Sequence, residues 1–221
     1  MAQYATPSDR HVDVVEPIEG SAPLTVANPL PLGLGALAFT TAIIGCSYAG
    51  FIIPSIRTGT TLVVAFALFY GGLVQILAGM WEFKRENTFA ATLFSSYGGF
   101  LVAFGIIFMP GSSISSALNI STVDFHQAIG LLFLCWTIFT GVLFIGSLRS
   151  SGALALTMIL LFIAFLFLTI GTFAGSNGVL LAIGGWFGVA TAIVGWYAAL
   201  GGLLRSINSP ITLPMGLIRM R

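Results

Sequence analysis

The chain has 221 residues, of which 57% are hydrophobic and 7% are charged, with a net charge of +1. Soluble domains carry roughly a quarter charged residues, so this composition excludes a water-soluble protein and predicts an integral membrane protein. The near-neutral charge gives no basis for nucleic-acid binding. Cys46 and Cys135 lie inside apolar segments, so we expect small buried side chains rather than a disulfide or a metal pair.

Residues 1–27 form a polar leader that carries Asp9, Asp13, Glu16 and Glu19. A cleaved signal peptide has a basic start and a short apolar core near the first residue, and this leader has neither. We therefore predict a disordered cytoplasmic leader and a first apolar helix that is retained.

The membrane domain begins at Asn28-Pro29-Leu30-Pro31. Proline is tolerated in the first helical turn, where its missing N–H group would have no partner. Asparagine is a favoured N-cap residue. The stretch therefore predicts a fixed helix start with Asn28 as the N-cap.

Six apolar stretches follow, each long enough to cross a hydrocarbon core of roughly 30 Å. They lie near 31–54, 61–83, 88–109, 124–148, 153–174 and 178–204 within a domain of residues 28–205, and 206–221 form a short cytoplasmic tail. Backbone in lipid must be helical or form a closed barrel, and these runs are too continuous for barrel strands. The sequence therefore predicts an all-α membrane protein, an up-and-down bundle of six transmembrane helices.

Basic residues indicate the orientation of this bundle. Six crossings place both termini on the same side as the second–third and fourth–fifth loops. That side carries Arg10, Lys84, Arg85, Arg149, Arg205, Arg219 and Arg221, whereas the other side carries Arg57. Because cytoplasmic loops are enriched in Lys and Arg, we predict that both termini are cytoplasmic and that the protein resides in the cell membrane.

The predicted helices are rich in glycine and lack charge at their midpoints. The 27 glycines allow close helix packing, and a narrow path between helices needs the same small residues. Proton relays and ion-coupled pumps usually place a carboxylate or histidine at mid-membrane. The absence of such a residue favours a pathway for a small solute that is weakly charged or protonated in transit.

Charged side chains cluster instead at helix ends. Glu82 and Glu86 flank Lys84 and Arg85, and Asn87-Thr88 begin the third helix. This group is either a capped, self-neutralised turn or a substrate vestibule. At the other side, Asp124 and His126 begin the fourth helix, where Asp124 favours the positive helix N-terminus. His126 is either a surface residue or a sensor of external acidity.

Motifs of enzyme chemistry are missing from the chain. It has no phosphate-binding glycine loop and no His/Cys metal spacing, and His11 and His126 are poorly placed for a nucleophile–base pair at depth. We therefore expect no catalytic residues, no metal and no cofactor.

Several short motifs occur in order along the chain. They are Asn28-Pro29-Leu30-Pro31-Leu32-Gly33-Leu34, Phe69-Tyr70-Gly71-Gly72 with Gln75, Ala78, Gly79 and Glu82, Asn87-Thr88-Phe89, Ser96-Tyr97-Gly98, Met109-Pro110 and Gly185-Trp186-Phe187-Gly188. In this order they resemble the acetate uptake transporter family, the succinate–acetate permeases. The resemblance covers all six predicted helices. It implies a homohexamer in the lipid membrane, with a central pore in each protomer for acetate, related small monocarboxylates and, in some members, succinate.

The same resemblance implies the residues of the pathway. The family constriction corresponds to Leu37, Tyr97 and Leu161, and Tyr97 would offer one hydroxyl on an apolar ring. The other pore candidates are Asn28, Pro29, Pro31, Tyr70 and Gln75, and the vestibule candidates are Glu82, Asn87 and Thr88. Whether such a pathway is a channel or a proton symporter is left open by the sequence.

The chain departs from the family pattern at two places. Leu37 stands where an aromatic residue is frequent, which widens or reshapes the constriction. Gly45, Cys46, Ser47 and Tyr48 replace family Asn and His residues. The alternative function is a channel for a neutral small solute such as urea or water, which six glycine-rich helices also fit. A sensory protein or a membrane enzyme fits the sequence less well.

Overall fold

The computed structural model describes residues 26–52, 56–118 and 122–216, and these ranges are helical, with no strand among them. The helices are α1 (Leu30–Ala49), α2 (Ile56–Phe66), a π-helical segment (Ala67–Val74), α3 (Gln75–Lys84), α4 (Thr88–Phe108), α5 (Ser113–Leu118), α6 (Thr122–Ser147), α7 (Gly152–Phe173) and α8 (Gly178–Ser206). Within the described residues, six spans are long and apolar enough to cross a membrane, because α2, the π-helical segment and α3 continue as one span, Thr61–Lys84. The expected six-helix membrane fold is confirmed. Most of the leader lies outside the described residues.

The six spans form a ring. α1 packs on α8, α8 on α7 and α7 on α6, and the π-helical segment and α3 pack on α4 and also contact α1. The ring closes where α6 meets α4, mainly through aromatic rings such as Phe100 and Trp136, whose centroids are 4.4 Å apart. We call the end of the ring that holds 26–29, 85–87 and 148–151 the terminal face, and the other end the opposite face.

Asn28 bonds to the start of α1, but the prediction that it is the N-cap residue is wrong. Pro29 occupies the N-cap position, and the Leu30 N–H donates to Asn28 Oδ1 at 3.1 Å. At its other end, α1 stops at Ala49, earlier than the predicted residue 54. Gly50 adopts a left-handed conformation there (φ 64°) and its N–H donates to the Cys46 carbonyl, which is a common helix-ending arrangement.

Glycines allow α1 and α8 to approach at backbone distance. A Cβ atom at Gly45 would lie 2.8 Å from the carbonyl oxygen of Gly185 and 2.8 Å from the amide nitrogen of Val189. Backbone atoms cannot move aside as a side-chain tip can, so this contact requires glycine. The two helices thereby form one continuous wall of the ring.

The two cysteines differ from the expectation that both are buried. Cys46 is partly buried, and Cys135 is exposed on α6. Apolar surface is compatible with a lipid solvent, so hydropathy alone does not tell which face of a membrane helix points inward. The described part of the tail returns to the terminal face, where Ala153 N–H donates to the Met215 carbonyl at 3.0 Å.

Candidate conduction pathway

A small cavity lies at the centre of the ring. Its volume is about 40 Å³, which is room for only a few water-sized groups. Leu37 from α1, Tyr97 from α4 and Leu161 from α7 all line it, and each is at most 4% exposed. The structure thus brings together the three residues of the expected constriction. We call this space the central cavity.

Most of the central cavity wall was not anticipated from the sequence. Aromatic, aliphatic and small residues complete it: Thr41, Ile44, Gly45, Tyr48, Phe100, Leu101, Phe104, Phe133, Ala164, Phe165, Leu168, Gly184, Gly185 and Gly188. The phenylalanines contact one another and Tyr97, with the Phe133 and Phe165 centroids 6.2 Å apart and those of Tyr97 and Phe165 6.4 Å apart. The glycine pairs on α8 could have indicated this wall from the sequence. The phenylalanines could not, because Phe is spread along these helices without a pattern that marks one face.

The Tyr97 hydroxyl is held by a neighbouring helix. Its oxygen lies 2.6 Å from Thr140 Oγ1, and Thr140 Oγ1 itself donates to the Trp136 carbonyl. Because a hydroxyl has one proton, Thr140 must accept from Tyr97 here. The sequence suggests a hydroxyl that is offered to the solute. The structure instead shows that its proton is already used, so the constriction is effectively apolar.

A second, larger cavity lies at the opposite face. Its volume is about 400 Å³, and we call it the opposite vestibule. Ile44, Tyr48 and Phe104 line both this vestibule and the central cavity, so the two spaces adjoin. His126 also lines the vestibule and is partly buried.

The terminal face carries a hydrogen-bonded network. Arg85 Nη1 donates to Asn28 Oδ1 and lies 4.0 Å from Glu82 Oε1. Asn87 Nδ2 donates to Glu82 Oε2 at 2.8 Å, while Asn87 Oδ1 accepts from the Ala90 N–H at 3.3 Å and caps α4. Glu82 is fully buried in this network. These contacts, which we call the terminal network, tie the start of α1 to the turn between α3 and α4.

The remaining candidates lie away from the central cavity. Thr88 is exposed at the start of α4. Tyr70 packs edge-on against Phe39, with ring centroids 5.3 Å apart. Pro31 lies beside Gly202 of α8, 3.1 Å from where a Cβ atom there would be. A separate pocket of about 290 Å³ at the terminal face includes Asn87 and Arg149, but none of its lining residues is shared with the central cavity.

Gln75 is a buried polar residue outside the two cavities. It is fully buried on α3, and neither of its amide atoms has a hydrogen-bond partner among the described residues. Thr40 Oγ1 and Ser95 Oγ are in the same state. Buried polar groups usually find a partner, so nothing in the described contacts explains this amide.

The sequence profile of the GPR1/FUN34/yaaH family matches residues 16–219. The chain belongs to this family. The family resemblance seen in the sequence motifs is therefore confirmed, as is a multi-pass membrane protein. Relatives in the family are named as transporters and channels, which points away from enzymatic activity.

Relatives of this family differ in length. Acetate permease A of Emericella nidulans is 42% identical over 198 residues, covering 86% of this chain and 65% of that protein. The succinate-acetate/proton symporter SatP of Escherichia coli K12 is 33% identical over 192 residues, covering 86% of this chain and 96% of that protein. The chain thus spans about two thirds of the fungal relative. The solved structure of the bacterial acetate channel SatP superposes with a TM-score of 0.75 at 32% identity, covering 87% of this chain and 100% of that one.

Proposed function

We propose that this chain passes acetate and related small monocarboxylates, and also succinate, across a membrane through the central cavity. The observation that supports this most directly is the meeting of Leu37, Tyr97 and Leu161 around one cavity, in a family whose relatives are named for acetate. An apolar constriction of this size disfavours a hydrated anion and admits a small solute that sheds water.

The constriction explains how a carboxylate and a proton can cross together. Carboxylic acids such as glutamic acid have a pKa of about 4.3, so a neutral acid form becomes common in acidic surroundings. The neutral form crosses an apolar passage at lower cost than the anion. We therefore propose proton-linked passage, in which external acidification raises acetate flux and lowers internal pH. A pH-sensitive dye inside liposomes measures the second effect.

The proposal is tested by placing a larger side chain in the central cavity from α7. We expect Leu161→Trp to reduce acetate flux into liposomes about ten-fold, since a large ring fills a space this small. Leu156→Trp is the matched control, because Leu156 lies on the same helix and is 48% exposed. Leu161→Phe is a milder blocking variant in case the indole prevents folding. Equal flux in all folded variants would contradict the assignment of the cavity.

The same liposomes separate the acetate function from the alternative of a neutral-solute channel. Swelling in acetate and in urea is compared for the wild-type protein. We expect acetate to permeate faster than urea. Fast urea or water passage without acetate passage would favour the alternative.

Orientation and assembly are part of the proposal. We infer that the terminal face is cytoplasmic, because it carries Lys84, Arg85, Arg149 and Arg205, and that the protein lies in the cell membrane. Labelling of Asn208→Cys by an impermeant reagent, in a variant lacking Cys46 and Cys135, tests the orientation. We also infer a homohexamer, supported by an exposed apolar stripe on α6 that includes Leu131, Ile138 and Val142. Light scattering of the detergent-solubilised protein tests the subunit number.

A further inference from the structure

We propose that the opposite vestibule is a carboxylate-binding subsite in which His126 supplies the positive charge. This inference rests on the proposed carboxylate function and adds a named residue and a pH dependence to it. The vestibule has a volume of about 400 Å³, ten times that of the adjoining central cavity. A small carboxylate can therefore enter it with part of its water before it reaches the constriction.

Two of the four hydroxyl groups that line the vestibule are committed to the backbone. Ser47 Oγ donates to the Ile43 carbonyl at 2.7 Å, and Thr172 Oγ1 donates to the Leu168 carbonyl at 2.7 Å. Each of these hydroxyls has used its one proton and can only accept, so neither can donate to a carboxylate.

Two amides in the first turn of α8 are committed as well. Asn177 Oδ1 accepts from Val179 N–H at 3.1 Å and from Leu180 N–H at 3.2 Å. The side chains left to donate to an anion in the vestibule are those of Tyr48, His126 and Ser176.

His126 is the one lining residue among them that can become positively charged. Tyr48 and Ser176 are neutral donors, and the rest of the lining is apolar apart from the committed hydroxyls of Ser47 and Thr172. Histidine is the side chain whose ordinary change of charge falls between about pH 5 and 8. A cation beside a carboxylate in a partly desolvated wall favours the bound state more strongly than a neutral donor does.

The groups that face His126 are few. On α6 itself, Asp124 is exposed and takes part in an interaction of its own. From α1, Tyr48 contributes a phenol to the vestibule. Neither α5 nor α7 contains an ionisable residue, and the Tyr97 hydroxyl of α4 is bonded to Thr140 at 2.6 Å. Of the two other helices that line the vestibule, α2 contains Arg57 and α8 contains Tyr197 and Arg205. Asp124 lies two residues before His126, a spacing at which helical side chains do not face each other, and it does not line the vestibule.

Binding and flux are measured separately so that the two proposals can fail separately. In a His11→Gln background, the ring protons of His126 are followed by NMR while pH is varied in acetate and in chloride. Bound acetate favours the protonated ring, so we expect its titration to move to higher pH in acetate. A titration that is the same in both salts, in a protein that still passes acetate, would overturn the subsite and leave the proposed function standing.

The flux measurements test the positive charge of His126 separately from the presence of its side chain. At about pH 5.5, we expect His126→Gln to raise the half-saturating acetate concentration about two- to five-fold with maximal flux unchanged, the range of a partly exposed ion pair. At about pH 8 the two proteins should agree. His126→Lys should restore the low value at both pH values.

Control variants in the flux measurement separate solute binding by His126 from a purely structural role of His126. Gln127→Ala, the exposed neighbour of His126, should leave the half-saturating concentration unchanged. Asp124→Asn, which removes a charge outside the vestibule lining, should also leave it unchanged. If His126→Lys behaves like His126→Gln, the charge has no role and the subsite is wrong. If the wild-type protein passes no acetate but the NMR titration still moves, the subsite stands and the proposed function fails.

Discussion

The two ends of the pathway use their polar residues differently. At the opposite face, a cavity of about 400 Å³ adjoins the constriction and contains His126. At the terminal face, Asn28, Glu82, Arg85 and Asn87 bond to one another. A charged group held by protein partners fixes helix ends, whereas a group that lines a cavity is available to a solute. We call the half with the opposite vestibule the open half, because its cavity adjoins the central cavity. We call the other half the closed half, because its pocket of about 290 Å³ shares no lining residue with the central cavity.

The wall of the open half should give the largest effect on stability. A Cβ atom at Gly185 would collide with backbone atoms of Ala49 and Gly45, so Gly185→Ala forces α1 and α8 apart. We expect a loss of about 3 kcal/mol in the free energy of unfolding, measured by SDS titration in mixed micelles. Gly99→Ala is the matched control, since a Cβ atom at Gly99 meets nothing within 4 Å. Equal stability of both variants would mean that backbone contact does not form the open half.

The closed half should respond next. Glu82→Ala removes the acceptor of Asn87 Nδ2 and the acidic neighbour of Arg85. Because Glu82 is fully buried, we expect a loss of about 2 kcal/mol in the same unfolding measurement. Lys84→Ala, at an exposed position two residues after Glu82, should change the free energy of unfolding little. If flux falls while stability is unchanged, Glu82 contacts the solute and the terminal network is a vestibule after all.

The constriction between the halves should give the smallest effect. Tyr97→Phe keeps the ring and removes the bond to Thr140, which in membrane proteins contributes about 0.6 kcal/mol on average. We expect acetate flux in liposomes within about two-fold of the wild-type value, because the ring and not the hydroxyl narrows the passage. Thr140→Val, which removes the same bond from the other side, should behave alike. A collapse of flux in Tyr97→Phe alone would show that the hydroxyl serves the solute.

Helix identity was predictable because it depends on local hydropathy. Each of the six stretches contains enough apolar residues to span a bilayer. The Asn-Pro-x-Pro stretch is compatible with the start of a helix but not with its interior. The boundaries were less predictable. α1 stops at Gly50 rather than at Pro54 because glycine can adopt the left-handed conformation that ends a helix, and a glycine-rich helix offers several such sites.

The pathway was predictable only where a motif carried it. Tyr97, Leu37 and Leu161 came from the family resemblance, and they do line one cavity. Tyr70 and Gln75 belong to an equally clear motif but lie outside that cavity. A motif marks residues that matter to the fold or to the solute and does not say which.

The sequence by itself determined a six-span membrane bundle and its family, because span length, apolar content and ordered motifs are local properties. Only the tertiary structure decided which polar groups are free to meet a solute. The Tyr97 hydroxyl and the Asn28 side chain find partners 43 and 57 residues away in sequence, whereas His126 comes to line a cavity because α6 packs between α7 and α4. Hydrogen-bond partners that are far apart in sequence are fixed by packing, and no local pattern records them.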